Sequence, residues 1–471
     1  MRFVTSRAYA SHTLPSPREI TLNELLQSAA DRAARYLEEI QERSVAPSAG
    51  AVAAVRSLRE PFPAGPSEPT EVLALLDDLG SPATMGMAGP RFFGFVIGGA
   101  LPVTVAANWL ATAWDQNSAF DSVTPAVSLV EAVALEWMRE IFGLPEGCAG
   151  AFVTGCTMAN FSALAAARHG VLAGQDWDVE ADGLFGAPPM TVVIGEEAHP
   201  TLIKALGLVG FGRNRHVRVP VDGHGRIRPE ALPPLTASTI VCAQAGNLNT
   251  GAFDPLPAIS ERVREAGAWL HVDGAFGLWA AASAGRAHLA DGIGLADSWA
   301  TDAHKWLNVP YDSGIAFVRD PEALRAAMAV TAEYLPAPDG VRNPSDFTPE
   351  LSRRARGVEV WAALRSLGRS GLDDLITRTC RYAARFAEGL AAAGYEILNE
   401  VELNQVLVSF GDPDVTARVI KAVQAEGTCW CGITVWQGRT AMRISVSSWA
   451  TTAADVERSI EAIVRVAEAT V

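Results

Sequence analysis

The chain has 471 residues, roughly three times an average domain of ~150, so it exceeds one small module and can bury large shared cores. Hydrophobic residues make up 49% and charged residues 19%, a composition that excludes disorder as the main state. Its 38 basic and 53 acidic residues leave a net charge of −15 with no Lys/Arg block, which argues against nucleic acid and membrane as partners.

The first nineteen residues carry three arginines and no acid before Glu19, without the apolar run of a secretory signal, and read as a flexible arm. Thr21-Leu22-Asn23-Glu24 is a capping-box pattern, and Leu22, Leu25, Leu26, Ala29, Ala33, Tyr36, Leu37 and Ile40 fall on one face of a helix running to about Ile40. A Pro/Ser/Gly-rich stretch from Ser44 to Pro69 predicts a connection, and a first boundary falls near residue 85. The apolar stretch 100–114 contains Pro102 and Asn108 and is shorter than the ~20 residues of a membrane span. Six cysteines without a C-x-x-C pair fit neither a disulfide framework nor a zinc site, so no metal is expected and a reducing, cytoplasmic setting is.

Seven short apolar runs between 149 and 319 alternate with helical patterns: AGAFVTG, TVVIGEE, HVRVPVD, STIVCAQAG, WLHVDGAF, SWATDAH and GIAFVRD. That alternation predicts an α/β fold, a mainly parallel seven-stranded sheet flanked by helices with function at the strand C-termini. A Pro-rich loop from Tyr334 to Pro349 leads to an Arg-rich helix beginning near Ser352. A QVLVSFG strand, a helix over 414–427, an AMRISVSSW strand and a helix from Thr452 follow, a smaller α+β domain. The expected division is a helical arm over 1–85, a large domain over 86–335 and a small C-terminal domain over 336–471.

Asp273 in WLHVDGAFG and Lys305 in TDAHKWLNVPYDSG carry the sharpest chemistry. An Asp at a strand end can hold a heteroaromatic nitrogen protonated, and a Lys among aromatic and His groups can be desolvated until its amine is nucleophilic and forms a Schiff base. Together they describe a pyridoxal phosphate site, in which a protonated pyridine accepts the electrons released at Cα. Taken singly, Asp273 reads as a helix cap and Lys305 as a surface residue. FVTGCTMANFSAL supplies a strand, a Gly155-Cys156-Thr157 turn and a helix, which is either a phosphate cradle or an ordinary helix start. His199, after another strand, is either a ring-facing or acid/base group or a structural histidine. Asn247 is either a donor to a ring oxygen or a turn residue beside Gly246.

HVDGAFG, DAHKWLNVPY, VTGCTMANFSAL, EEAHPTLIKA and NTGAFD, in this order and spacing, resemble the group II pyridoxal-phosphate-dependent amino-acid decarboxylases, with the fold type I architecture of the aspartate aminotransferase superfamily. The resemblance implies Lys305 as the Schiff-base residue, Asp273 as partner of the pyridinium nitrogen that stabilises a quinonoid, His199 stacked on one ring face and Ala275 beneath the other. It implies that Gly155, Cys156, Thr157 and His304 hold the phosphate and that Asn247 contacts the ring oxygen. It further implies a homodimer with a shared active site and N-terminal helices wrapping the partner subunit. Phe95, Ile97, Trp114 and Phe120 would line the substrate pocket, Phe92 and Phe93 reading rather as core.

Two departures bear on the reaction. Aromatic decarboxylases carry a loop tyrosine that protonates Cα, and the corresponding place here falls on Pro344 or Ser345, leaving Tyr334 or His199 as the candidate acid. Arg443 in AMRISVSSW either grips a substrate α-carboxylate, which would tend to retain it, or forms a structural ion pair. The expected activity is decarboxylation of an L-amino acid to its amine. The alternatives are another reaction at Cα (C–C cleavage, transamination or oxidative decarboxylation to an aldehyde), a cofactor-binding scaffold without turnover, and a structural interaction protein.

Overall fold

The structure, a computed structural model, describes residues 21–330 and 341–470. The arm expected over residues 1–19 and the candidate acid Tyr334 lie outside the described residues. Two compact units are present, one of residues up to Arg43 together with Pro47–Met85, the other of Ser44–Ala46 together with Gly86 onward.

In the first unit the capping box forms as its sequence dictates. The Thr21 hydroxyl accepts from the Glu24 amide and the Glu24 carboxylate accepts from the Thr21 amide, opening the helix Leu22–Glu39. None of that helix's residues is buried, although it has an apolar face. Its Arg32 and Arg35 pair with Asp77 of the helix Pro69–Ala83. The stretch from Ser44 to Pro69 is not merely a connection: it contains the helix Ala49–Ala54, whose Ser48 hydroxyl accepts the Ala51 amide. Alanine's helix preference outweighs the Pro and Gly residues on either side.

In the second unit the seven apolar runs become strands: β2 (Ala149–Val153), β3 (Thr191–Gly195), β4 (Val217–Val219), β5 (Thr239–Gln244), β6 (Trp269–Asp273), β7 (Ser298–Asp302) and β8 (Gly314–Val318), with β1 (Phe92–Phe93) before them. Their order is β2-β8-β7-β6-β5-β3-β4, parallel from β7 through β4, with β8 antiparallel to both its neighbours. Helices cover a sheet of this kind on both faces, which is why its strands read as nearly unbroken apolar runs. The helix Cys156–Ala173 crosses β6, β7 and β8 and buries eleven of its residues; the alanines among them allow close approach. Trp279, Trp299 and Trp306 fill the core with no exposed surface.

A second sheet has the order β1-β11-β12-β10-β9, with β9 (Glu396–Ile397), β10 (Gln405–Ser409), β11 (Trp430–Trp436) and β12 (Arg439–Ser445). β11 was not among the expected strands: Gly432 interrupts its alternating run, and Ile433 and Val435 face outward. The Arg-rich helix starts at Gly357, not near Ser352. The arginines before it stay outside the helix with their guanidinium groups engaged, Arg353 with Glu131, Arg354 with Glu359 and Arg356 with Asp312, although Arg356, the cap residue, already has helical backbone angles. Gly368, at φ 57°, breaks that helix before it resumes to Ala392.

Candidate active site

β6 ends at Asp273, which lies opposite Ala300 in the register, and the neighbouring β7 ends two residues further on at Asp302; both carboxylates are buried. Beyond Asp302 the chain folds into a tight loop in which the Ala303 and His304 amides donate to the Ser313 carbonyl and His304 Nδ1 accepts the Ser313 amide at 3.0 Å. With Nδ1 accepting, the neutral ring carries its proton on Nε2. That loop carries Lys305, whose Nζ lies 3.0 Å from Asp302 Oδ2. Burial pushes the Lys305 ammonium down, but the carboxylates of Asp302 and Asp273 outweigh it and raise its pKa. This corrects the expectation of an amine made nucleophilic by desolvation alone: in the chain by itself, Asp302 holds the amine protonated.

Asp302 was not singled out in the sequence. Its Oδ1 also accepts the Cys156 amide at 2.6 Å, so a carboxylate sits at the N-terminus of the helix Cys156–Ala173, where the helix dipole favours an anion. The Cys156 amide is thus already engaged. Gly155 approaches β8 so closely that a Cβ on Gly314 would collide with the Gly155 backbone. Thr157 is half-buried in the first helical turn.

Asp273 accepts from three groups: Asn160 Nδ2 at 3.1 Å, the Ala275 amide at 3.2 Å and the Cys156 thiol at 3.4 Å. Ala275 packs beside Cys156, Met158, Ala300 and Ala316. His199 caps the helix Pro200–Leu208, its Nδ1 accepting the Thr201 amide at 3.3 Å. Burial lowers its pKa, and His199 lines one cavity with Asp273. Arg443, on β12 between Leu407 and Gly432, is buried, forms no ion pair among the described residues and leaves Nε without a partner. Burial pushes its guanidinium down to about 10.

Asn308 ties the elements together. Its Nδ2 donates to the Trp306 and Ser447 carbonyls, its Oδ1 accepts the Trp449 amide and its carbonyl accepts the Leu101 amide. It sits at φ 59°, a conformation asparagine tolerates better than most residues. The segment before Leu101 runs against the Lys305 loop, because a Cβ on Gly98 would collide with the Lys305 carbonyl. Ile97 is therefore buried beside the loop, and Phe95 stacks on Trp430 with ring centroids 6.0 Å apart.

Asn247 is committed to its turn, Oδ1 accepting the Asn249 and Thr250 amides while Nδ2 donates to Gln244. Trp114 ends the helix Pro102–Trp114 with its side chain exposed, and Phe120 is half-buried in the following turn. Phe92 and Phe93 are fully buried. At the place expected for a loop tyrosine, Ser345 is buried and its hydroxyl donates to the Ala119 carbonyl.

The arrangement offers a lysine amine, a buried carboxylate fixed by three donors, a neutral imidazole and an unpaired guanidinium, a set that fits a phosphorylated pyridine aldehyde and an amino acid. Residues 63–411 match the pyridoxal-dependent decarboxylase conserved domain. The chain is 27% identical over 398 residues to the aromatic-L-amino-acid decarboxylase of Bacillus atrophaeus, covering 82% of this chain and 81% of that protein. It is 29% identical over 340 residues to an acidic amino acid decarboxylase of Mus musculus, covering 69% and 61%. The crystal structure of Oryza sativa TDC with PLP and tryptamine superposes with a TM-score of 0.89 at 22% identity, over 97% of this chain and 99% of that one, which shows the shared fold. The chain belongs to the pyridoxal-dependent decarboxylase family, the carboxy-lyases that use pyridoxal phosphate to convert an amino acid to its amine.

Proposed function

We propose that Lys305 is the residue to which the cofactor attaches and that the surrounding side chains bind an L-amino acid for loss of its α-carboxylate. The observation that carries this reading is the Lys305 amine, held 3.0 Å from a buried carboxylate and within the field of a second. Pyridoxal phosphate, when bound, supplies the electron sink for the pair released at Cα. Asp273, fixed by three donors, holds the proton of the ring nitrogen. His199 and Ala275 bound the two ring faces. Gly155, Thr157 and His304, with the Cys156 amide already engaged by Asp302, hold the phosphate.

Arg443, buried with its Nε unpartnered and without an ion pair among the described residues, receives an anionic group of the substrate. Phe95 and Ile97 supply apolar surface beside the Lys305 loop, and Asn247 supports the site through its turn. The proton returned to Cα comes from His199 or Tyr334. A homodimer is part of the proposal, supported by the uncovered apolar side chains Val103, Leu110 and Trp114, spaced along one stripe of the helix Pro102–Trp114. Trp114 and Phe120 then contribute to the pocket across that interface. The six free thiols support a reducing, cytoplasmic setting.

The test is incubation of the cofactor-loaded protein with pooled L-amino acids and identification of the products. Amines are expected; keto acids alone would rule out decarboxylation.

A further inference from the structure

His271 is the polar residue of β6 that the chemistry above leaves unused. It lies fully buried between Leu270 and Val272, two residues before Asp273, so both side chains leave the same face of the strand. That face meets the helix Cys156–Ala173, which brings Asn160 to both of them. Each ring nitrogen of His271 has a partner: Nε2 is 2.8 Å from Asn160 Oδ1 and Nδ1 is 2.9 Å from Ser298 Oγ.

The proton positions follow from chemistry. An ionised carboxylate only accepts, so the Asn160 atom 3.1 Å from Asp273 Oδ2 is the NH2 group, and the amide oxygen must be the atom facing His271. His271 Nε2 therefore carries the ring proton. Nδ1 of the neutral ring then accepts, and the Ser298 hydroxyl is the donor beside it. Ser298 Oγ in turn accepts from Trp269 Nε1, which can only donate, at 2.9 Å. Four hydrogen bonds run in one direction, from Trp269 through Ser298, His271 and Asn160 to Asp273. Burial keeps the ring neutral, pushing the His271 imidazolium down to about 4 against the field of Asp273.

We propose that His271 is a positioning residue of the active site, which with Ser298 and Asn160 holds the Asp273 carboxylate in one orientation, and so sets how firmly the chain retains a protonated pyridine ring. The proposal rests on the reading of Asp273 as partner of the ring nitrogen. It makes His271 a one-tautomer residue that stays neutral near neutral pH, burial outweighing the field of Asp273, the charged group that faces it.

Two measurements test it. In the full-length protein labelled with 15N-histidine and assigned by His271→Phe, the His271 ring should stay neutral with its proton on Nε2 from pH 5.5 to 9, with and without cofactor. The opposite tautomer, or an imidazolium in that range, would overturn the proposal. In the second, Ser298→Ala and Asn160→Leu are loaded with pyridoxal phosphate. Each should lose the cofactor at least tenfold faster than the unaltered protein and move the pH midpoint of its visible band, while Ser298→Thr restores both. Variants that melt earlier yet keep the original release rate and midpoint would make His271 merely structural and also overturn it. If Asp273→Ala itself binds and titrates the cofactor as the unaltered protein does, the reading of Asp273 fails instead, and the tautomer result stands apart from it.

Discussion

The fate of Lys305 is decided by which charges face it. Desolvation favours the neutral amine and two carboxylates favour the ammonium; in the chain alone the carboxylates win, Asp302 by direct contact at 3.0 Å. An ammonium has no lone pair with which to attack an aldehyde. Asp302→Asn removes the nearer negative charge, so the amine pKa falls, and each unit of fall raises the neutral fraction about tenfold. The expected outcome is faster uptake of pyridoxal phosphate by the cofactor-free variant near neutral pH, with the midpoint of the uptake rate moved to lower pH. An unmoved midpoint would show that Asp302 does not control the amine. Asp302 stands inside the DAHKW string, yet its pairing with Lys305 and with the Cys156 amide depends on the turn after β7, and an amide 146 residues away in sequence gives no local sign.

At the scale of elements, the seven runs between 149 and 319 were legible because each is apolar, short and bounded by turn residues. The second sheet was less so. β1 is only two residues long and pairs with β11 from the far end of the chain, a contact no local pattern carries. The irregular stretch 352–356 was not legible either, because arginine is a good helix former and the acids that engage Arg353 and Arg354, the buried Glu131 and Glu359, are distant or on the helix itself. Gly155 and Gly314 make the helix N-terminus possible by letting two backbones touch. Gly314→Ala forces them apart. We expect it to destabilise the fold by about 1–3 kcal/mol, the usual range for overpacking, and to weaken cofactor binding, both followed by thermal melting with and without pyridoxal phosphate. Unchanged melting and binding would mean that the turn can move aside.

At the scale of the molecule, one compact unit holds both sheets, the large one carrying the two aspartates and the loop of Lys305 and the small one Arg443, with Asn308 bonded to the Trp306 and Ser447 carbonyls. The family was legible because its motif strings are long and ordered, whereas the joining role of Asn308 depends on three-dimensional packing. The exposed stripe on the helix Pro102–Trp114 bears on assembly. Leu110→Glu combined with Trp114→Glu should convert a particle of twice the chain mass into one of single mass by light scattering, while a single-mass unaltered protein would remove the proposed dimer. The account turns most directly on where the cofactor attaches. Borohydride reduction of the protein loaded with pyridoxal phosphate, followed by peptide mass spectrometry, should find the reduced adduct on Lys305 and should find none in Lys305→Ala; an adduct on another lysine, or none in the unaltered protein, would contradict it.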